Sequence, residues 1–204
     1  MSPAPFLRLT LVTAAGALLA GCLLRPTTVK THSFVLTPIP VPENSAPASA
    51  HLPIGVGLVK MPEYLARTSM AVRKTTNEIE YLENDLWAES LDRSFQRTLA
   101  ANLATLLPTD QIHLSAWQPH SVAMAVYVSV DQFDVNAEGR GTLLAWWRVV
   151  TPVGDKVLKS GDTTLRRNGP APQANPQALA ATLSELTADF SKVLAQAIRE
   201  SALP

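Results

Sequence analysis

Covalent chemistry in this chain has one obvious candidate, the single thiol of Cys22. It follows Leu19-Ala20-Gly21, and the stretch from Leu9 to Ala20 is apolar or small and uncharged, behind the one positive charge of Arg8. That is the layout of a secretory signal peptide: a short basic region, a short apolar core and a small-residue cleavage site. The apolar run is about a dozen residues, against the roughly 20 that a membrane-spanning helix needs. Small residues ahead of the cysteine let a peptidase grip the backbone, and the thiol can accept a diacylglyceryl group as a thioether. Leu19, Ala20, Gly21 and Cys22 thus look like a bacterial lipobox, in which the cysteine becomes the new N-terminus. The alternative is an ordinary signal peptide with an incidental cysteine. Two acyl chains anchor stably, at ~0.8 kcal/mol per buried CH₂. Leu23, rather than Asp, follows the cysteine, which under enterobacterial sorting rules favours the outer membrane.

No catalytic or metal-binding constellation accompanies the thiol. One cysteine excludes an internal disulfide and any multi-cysteine zinc site. His32, His51, His113 and His120 pair with no His, Cys, Asp or Glu at metal-ligand spacing. G-x-S-x-G, a phosphate-cradling glycine loop and paired carboxylates on one helix face are all missing from the sequence. Arg166-Arg167 reads as a solvated strand end. The chain therefore reads as a non-enzyme without cofactor or metal. Lys and Arg number 17, as do Asp and Glu. This balance excludes the broad basic field that nucleic acid requires. It also argues against electrostatic attachment to anionic lipid and leaves acylated Cys22 to hold the membrane.

The elements that position these groups follow from pattern. With 204 residues, 47% of them hydrophobic, the chain can build one ordinary core. Residues 1–21 read as the cleaved signal peptide and 22–53 as a tether carrying Pro26, Pro38, Pro40, Pro42, Pro47 and Pro53. A strand at His32–Thr37 interrupts the tether, at or near a sheet edge. Residues 54–204 read as a single domain. Ile54–Lys60 alternates, with Ile54, Val56, Leu58 and Lys60 on one face and Gly55, Gly57 and Val59 on the other. Ser69–Lys74 and Glu78–Glu83 form a hairpin around Thr75-Thr76-Asn77. A helix capped by Asn84 or Asp85 then buries Trp87, Leu91, Phe95, Leu99, Leu103 and Leu106, pairs Glu89 with Arg93, and ends at Pro108.

Ile112–Trp117 is a short strand. Val122–Val130 alternates with its even-numbered residues inward, and the apolar phase then slips to Phe133 and Val135, as a bulge near Asp131-Gln132 would produce. Thr142–Val150 and Lys156–Arg166 complete an antiparallel meander. Asn175 caps, and Pro176 begins, a last helix that buries Leu179, Leu183, Leu186, Phe190, Val193, Leu194 and Ile198. The sum is an α+β fold: a mainly antiparallel sheet with two long helices packed on one face. Such a sheet has a spare face. Trp146 and Trp147 are adjacent in a strand and point to opposite faces, so one of them joins Ala123, Ala125 and Tyr127 there. An apolar spare face suits association.

Ile54-Gly-Val-Gly-Leu-Val-Lys-Met-Pro-Glu-Tyr-Leu-Ala-Arg67 carries a strand followed by Pro62-x-Tyr64-Leu65-x-Arg67. Met70-Ala-Val-Arg73, Ile79-Glu-Tyr81, Trp87-Ala88-Glu89 and Leu99-x-x-Asn102-Leu103 follow in order. With the lipobox, these blocks resemble the ABC-type transport auxiliary lipoproteins over nearly the whole chain. Ala66, where the family often has a polar residue, and Ser90, where proline is common, are mild departures. The resemblance implies a non-enzymatic lipoprotein on the periplasmic face of the outer membrane. Its partners would be an MCE-domain channel protein and the associated permease of an intermembrane lipid transport system, with a matching homo-oligomeric ring at the channel end. Pro62, Tyr64, Leu65, Arg67, Trp87, Ala88 and Glu89 would then serve structure or interaction. A small lipid-binding carrier is the rival reading, and a periplasmic hydrolase has no motif behind it.

Overall fold

Valine alternation builds the centre of the sheet. In the computed structural model, which describes residues 30–41, 52–107, 109–118, 120–153, 156–173 and 175–202, that alternation lies on the thirteen-residue strand β6, Met124–Asn136. The lipobox, Cys22, the signal peptide and much of the tether lie outside the described residues. Val126, Val128 and Val130 are buried on one face of β6. Its register against the next strand, β7 (Arg140–Val150), shifts between Val130 and Gln132. This bulge returns Phe133 and Val135 to the buried face and sends Gln132 and Asp134 to the other. β7 pairs antiparallel with β8 (Val157–Asn168), completing the meander.

The sheet branches on the other side of β6. At its beginning, β6 pairs in parallel with β2 (Ile54–Val56), which pairs in turn with β5 (Ile112–Leu114). At its end it pairs in parallel with β3 (Ser69–Thr75), followed outward by β4 (Glu78–Trp87) and β1 (His32–Phe34). The long ladders are antiparallel and the short pairings parallel, giving a mostly antiparallel α+β fold of eight strands. As expected, β1 sits at an edge.

Two helices, α1 (Leu91–Leu106) and α2 (Pro176–Ala202), cover one face. Asn175 Oδ1 accepts the Ala178 amide at 3.2 Å, so the expected cap is present. Leu179, Leu183, Leu186, Phe190, Leu194 and Ile198 are buried, whereas Val193 is only partly so. Phe95 meets Phe133 edge-on at 5.1 Å and Phe190 at 6.1 Å, which ties both helices to the bulged strand. Burial of each such side chain contributes about 1.5–3 kcal/mol.

Three local readings are corrected. First, α1 starts at Leu91, and Trp87 closes β4 instead of opening the helix. The Trp87 amide donates to Thr68 O at 2.7 Å and the Ala88 amide to Phe34 O at 2.9 Å. The four-residue step from Trp87 to Leu91 mimics helical spacing across a strand-to-helix junction. Glu89 therefore precedes the helix and pairs with Arg97, not Arg93. Second, Ile54–Lys60 is not one regular strand. Val56 pairs with Val126 but Lys60 with Ser129, so four steps along this segment match three along β6. The extra residue inverts the phase: Leu58 is 67% exposed and Val59 is buried. Third, β5 stops at Leu114, because Ser115 takes a left-handed turn at φ 61°.

The chain after β1 is integral to this unit, which begins at Thr31, upstream of the expected boundary at Ile54. Leu36 is buried, and the segment lies between the helices. The Thr37 amide donates to Ser184 Oγ of α2 at 3.1 Å, and the Ile39 amide to Asn102 Oδ1 of α1 at 2.8 Å. Asn102 Nδ2 donates to Ser191 Oγ at 3.0 Å, so one buried amide joins segment, α1 and α2. Ser94, Thr98 and Asn102 recur every fourth residue along α1, and all three are buried.

Candidate interaction site

The face of the sheet away from the helices carries two groups of side chains. The first surrounds the Pro62-x-Tyr64-Leu65-x-Arg67 block. Pro62 O accepts the Leu65 amide at 3.0 Å, closing a 3₁₀ turn over Glu63–Leu65. Leu65 is buried, and the turn aims Tyr64 across the sheet. Tyr64 Oη donates to Asp134 Oδ2 at 2.7 Å. Arg73 Nη2 lies 2.6 Å from the same oxygen, and Arg73 Nε donates to both carboxylate oxygens at 3.0 and 3.1 Å. Gln132 Nε2 donates to Asp134 Oδ1 at 2.8 Å. The side chain of Asp134 is only 2% exposed, so its charge is offset by these donors and not by water. Burial pushes the Tyr64 phenol well above its ordinary value, and the negative charge of Asp134 and the hydrogen bond to it add to the rise. The hydrogen bond to Asp134 likewise raises Arg73. Tyr81 Oη donates to Tyr64 O at 3.0 Å, and Arg67 stacks over the Tyr81 ring at 4.5 Å. Both Asp134 oxygens are engaged by neighbours, so this is a structural lock and not a free acid or base.

The second group lies where β6 and β7 run side by side. Residues paired in a ladder share a face, so register places Lys60, Ser129, Trp146 and Asp162 in one row, and Tyr127, Arg148 and Ser160 in the next. Trp146 is 40% exposed here. Trp147 is on the helix side and buried, with Nε1 donating to Thr163 Oγ1 at 2.9 Å. The parity of the tryptophan pair thus behaves as expected. Ala125 is buried because the connection after β5 folds back over this end of the face. There the Trp117 indole closes on Gly55, and the Tyr127 ring closes on Gly57. A Cβ at either glycine would come within 2.7 or 2.6 Å of those rings. Arg148 stacks on Tyr127, with Cζ 5.1 Å from the ring centroid, and its Nε is buried with no hydrogen-bond partner.

The sequence-predicted site residues therefore separate. Tyr64 and Arg67 gather at the lock, with Pro62 and Leu65 shaping the turn. Tyr127 and Trp146 belong to the second group. Trp87 packs in the core, and Ala88 and Glu89 form the approach to α1. Asp134, Gln132, Trp117, Lys60 and Arg148 were not singled out from sequence. Asp134 carries no local signal of its role, because an acid alternating with Phe133 and Val135 on a strand reads as a residue of the solvated face. Among the described residues no group of His, Cys, Asp and Glu could hold a metal ion.

These features define a two-layer α+β domain with an open, aromatic-and-arginine sheet face. The chain belongs to the ABC-type transport auxiliary lipoprotein component family, whose model matches residues 34–195. It is similar to the intermembrane transport lipoprotein PqiC of Escherichia coli (strain K12), at 29% identity over 140 residues, covering 67% of this chain and 71% of the relative. The PqiC of Shigella flexneri matches to the same extent. The solved structure of protein XCC0632 from Xanthomonas campestris shares the fold, with a TM-score of 0.64 at 13% identity, covering 84% of this chain and 99% of that one.

Proposed function

We propose that this chain is a periplasmic lipoprotein, anchored in the outer membrane through acylated Cys22, that docks on or caps an MCE-domain intermembrane lipid transport channel as a non-catalytic auxiliary subunit. The match to the transport auxiliary lipoprotein family over residues 34–195 carries this reading. The similar protein of E. coli is named for intermembrane transport, in keeping with such a role. The stretch from Cys22 to Thr31 would let the folded unit stand up to ~30 Å from the bilayer at ~3.1 Å per residue. Docking on a symmetric channel favours a matching ring of copies, with the associated permease in the same system. Phe95, Phe133, Phe190 and the leucines of both helices fill the space beneath the helix layer, which favours docking over carriage of an acyl chain inside the domain. Engagement of both Asp134 oxygens supports a non-catalytic role for the family block.

The test is co-purification after mild crosslinking, from cells that also express an MCE-domain protein. Recovery of that protein with the full-length lipoprotein is expected. Repeated failure to recover it would sink the proposal, and a stoichiometric phospholipid in the delipidated domain would favour the carrier.

A further inference from the structure

The docking surface can be narrowed to the second group on the open face. We infer that Lys60, Tyr127, Trp146 and Arg148 form the contact for an acidic segment of the channel protein, an inference that rests on the docking role above. Three observations converge. Trp146 is 40% exposed on the open sheet face, beside the row that carries Tyr127 and Arg148. Arg148 lies over the Tyr127 ring with a buried, unpartnered Nε, so a donor has been removed from water without receiving an acceptor. Among the described residues neither Lys60 nor Arg148 has an acidic partner within 4.0 Å, a state they share with Arg67, Arg93, Arg140, Arg166 and Arg199, whereas Arg73, Lys74, Arg97, Lys159, Arg167 and Lys192 are paired.

The chemistry of the missing partner follows. A stacked guanidinium presents a planar fork that suits a carboxylate, and Lys60, in the row beside it, adds a second positive charge. Trp, Tyr and Arg are the residue types that dominate binding energy at protein interfaces. The row of Trp146 ends in Asp162, on the edge strand β8. An acid there opposes a flat anionic bilayer, whereas a shaped protein segment can place its carboxylates on Arg148 and Lys60 and leave Asp162 at the rim. The zero net charge of the chain also gives no long-range pull toward anionic lipid.

The experiment uses the full-length lipoprotein co-expressed with its MCE-domain protein. A photo-crosslinking amino acid at position 146 should give an adduct with that protein at a segment containing Asp or Glu, and one at position 93, on the helix layer, should not. Arg148→Glu, Lys60→Glu and Trp146→Ser should each cut recovery of the MCE-domain protein by about tenfold or more, with Arg93→Glu unchanged. Trp146→Ser, at an exposed site, keeps the test valid if Arg148→Glu folds poorly. Changing the crosslinked acid to Lys should restore recovery with Arg148→Glu. Normal recovery by all three variants overturns this inference and leaves the docking role standing. No recovery by the wild type overturns the docking role and this inference together. Arg148-dependent binding of the purified domain to phosphatidylglycerol vesicles, with recovery of the MCE-domain protein unaffected, would assign the face to membrane and overturn it.

Discussion

Arg73 and Asp134 form an ion pair across neighbouring strands, with Nη2 2.6 Å from Oδ2, and the carboxylate is almost wholly buried while the guanidinium is about a quarter exposed. The asymmetry decides which substitution costs more. Arg73→Ala leaves a buried charge with only Tyr64 and Gln132 as donors, and should destabilise by about 3–5 kcal/mol. Asp134→Asn leaves a guanidinium that water can reach and should cost less. Arg73→Lys should fall between, because an ammonium cannot donate as a fork to both oxygens. Urea unfolding orders the three, and an Asp134→Asn loss exceeding that of Arg73→Ala would refute this account of the lock.

Tyr64 gives the lock a pH signature. Its phenol is raised above the ordinary value by burial first and by Asp134 second. The unfolded chain releases that proton near pH 10, whereas the folded chain holds it to higher pH. The contribution is therefore complete below about pH 10 and is lost as pH climbs toward the folded value. Wild-type stability should fall more steeply from about pH 10 upward than that of Tyr64→Phe, which has no proton to lose. Parallel urea midpoints for the two proteins across that range would show that Tyr64 titrates as in the unfolded chain.

Local pattern made the meander and the last helix legible. Val126, Val128 and Val130 alternate over enough residues to define a face, the slip to Phe133 locates the bulge, and Asn175-Pro176 marks a helix start by backbone chemistry alone. Trp87 was misplaced because spacing of four occurs by chance where a strand meets a helix. What resolves it is a pairing with Phe34, which lies far away in sequence. The lock was invisible for the same reason: Arg73 and Asp134 are 61 residues apart, and each alone reads as a solvated strand residue. The polar stripe of Ser94, Thr98 and Asn102 contradicts the expectation that a helix buries its apolar face only. Its purpose appears only when the segment after β1 is seen lying between the helices.

That stripe yields a local prediction. Asn102 satisfies the Ile39 amide and Ser191 Oγ from a fully buried position. Asn102→Ala leaves the Ile39 amide without its acceptor, while Ser191 Oγ keeps its bond to Thr187 O, and should cost about 1–3 kcal/mol. Amide exchange should rise at Ile39 well before it rises in β6, because the segment would be released while the sheet stays paired. Uniform acceleration across the domain would mean that Asn102 supports the whole core instead of this segment.

Gly57 tests how tightly the open face is built. A Cβ there would meet the Tyr127 ring at 2.6 Å, and that ring is backed by Arg148. Gly57→Ala should therefore destabilise by about 1–3 kcal/mol, as overpacking does. Gly57→Ala combined with Tyr127→Ala should cost less than the two changes summed, since removing the ring removes the clash. Additive losses in a double-mutant cycle would place the strain elsewhere.

On the function proposed above, anchorage turns on Cys22, the one thiol of the chain. With equal numbers of acidic and basic side chains, the chain has no net charge to draw it to anionic lipid, and on the reading proposed above acyl chains supply the attachment. One chain gives only marginal, reversible binding, whereas two hold stably. Cys22→Ala removes the acceptor of the diacylglyceryl group. The variant should appear in the soluble periplasmic fraction, or remain as an uncleaved precursor held by its signal segment, and metabolic labelling with palmitate should be lost. The assay belongs in cells lacking the channel protein, because docking alone could retain the domain near a membrane. A Cys22→Ala protein that still floats with outer-membrane vesicles there would show that something other than thioether-linked lipid anchors the chain.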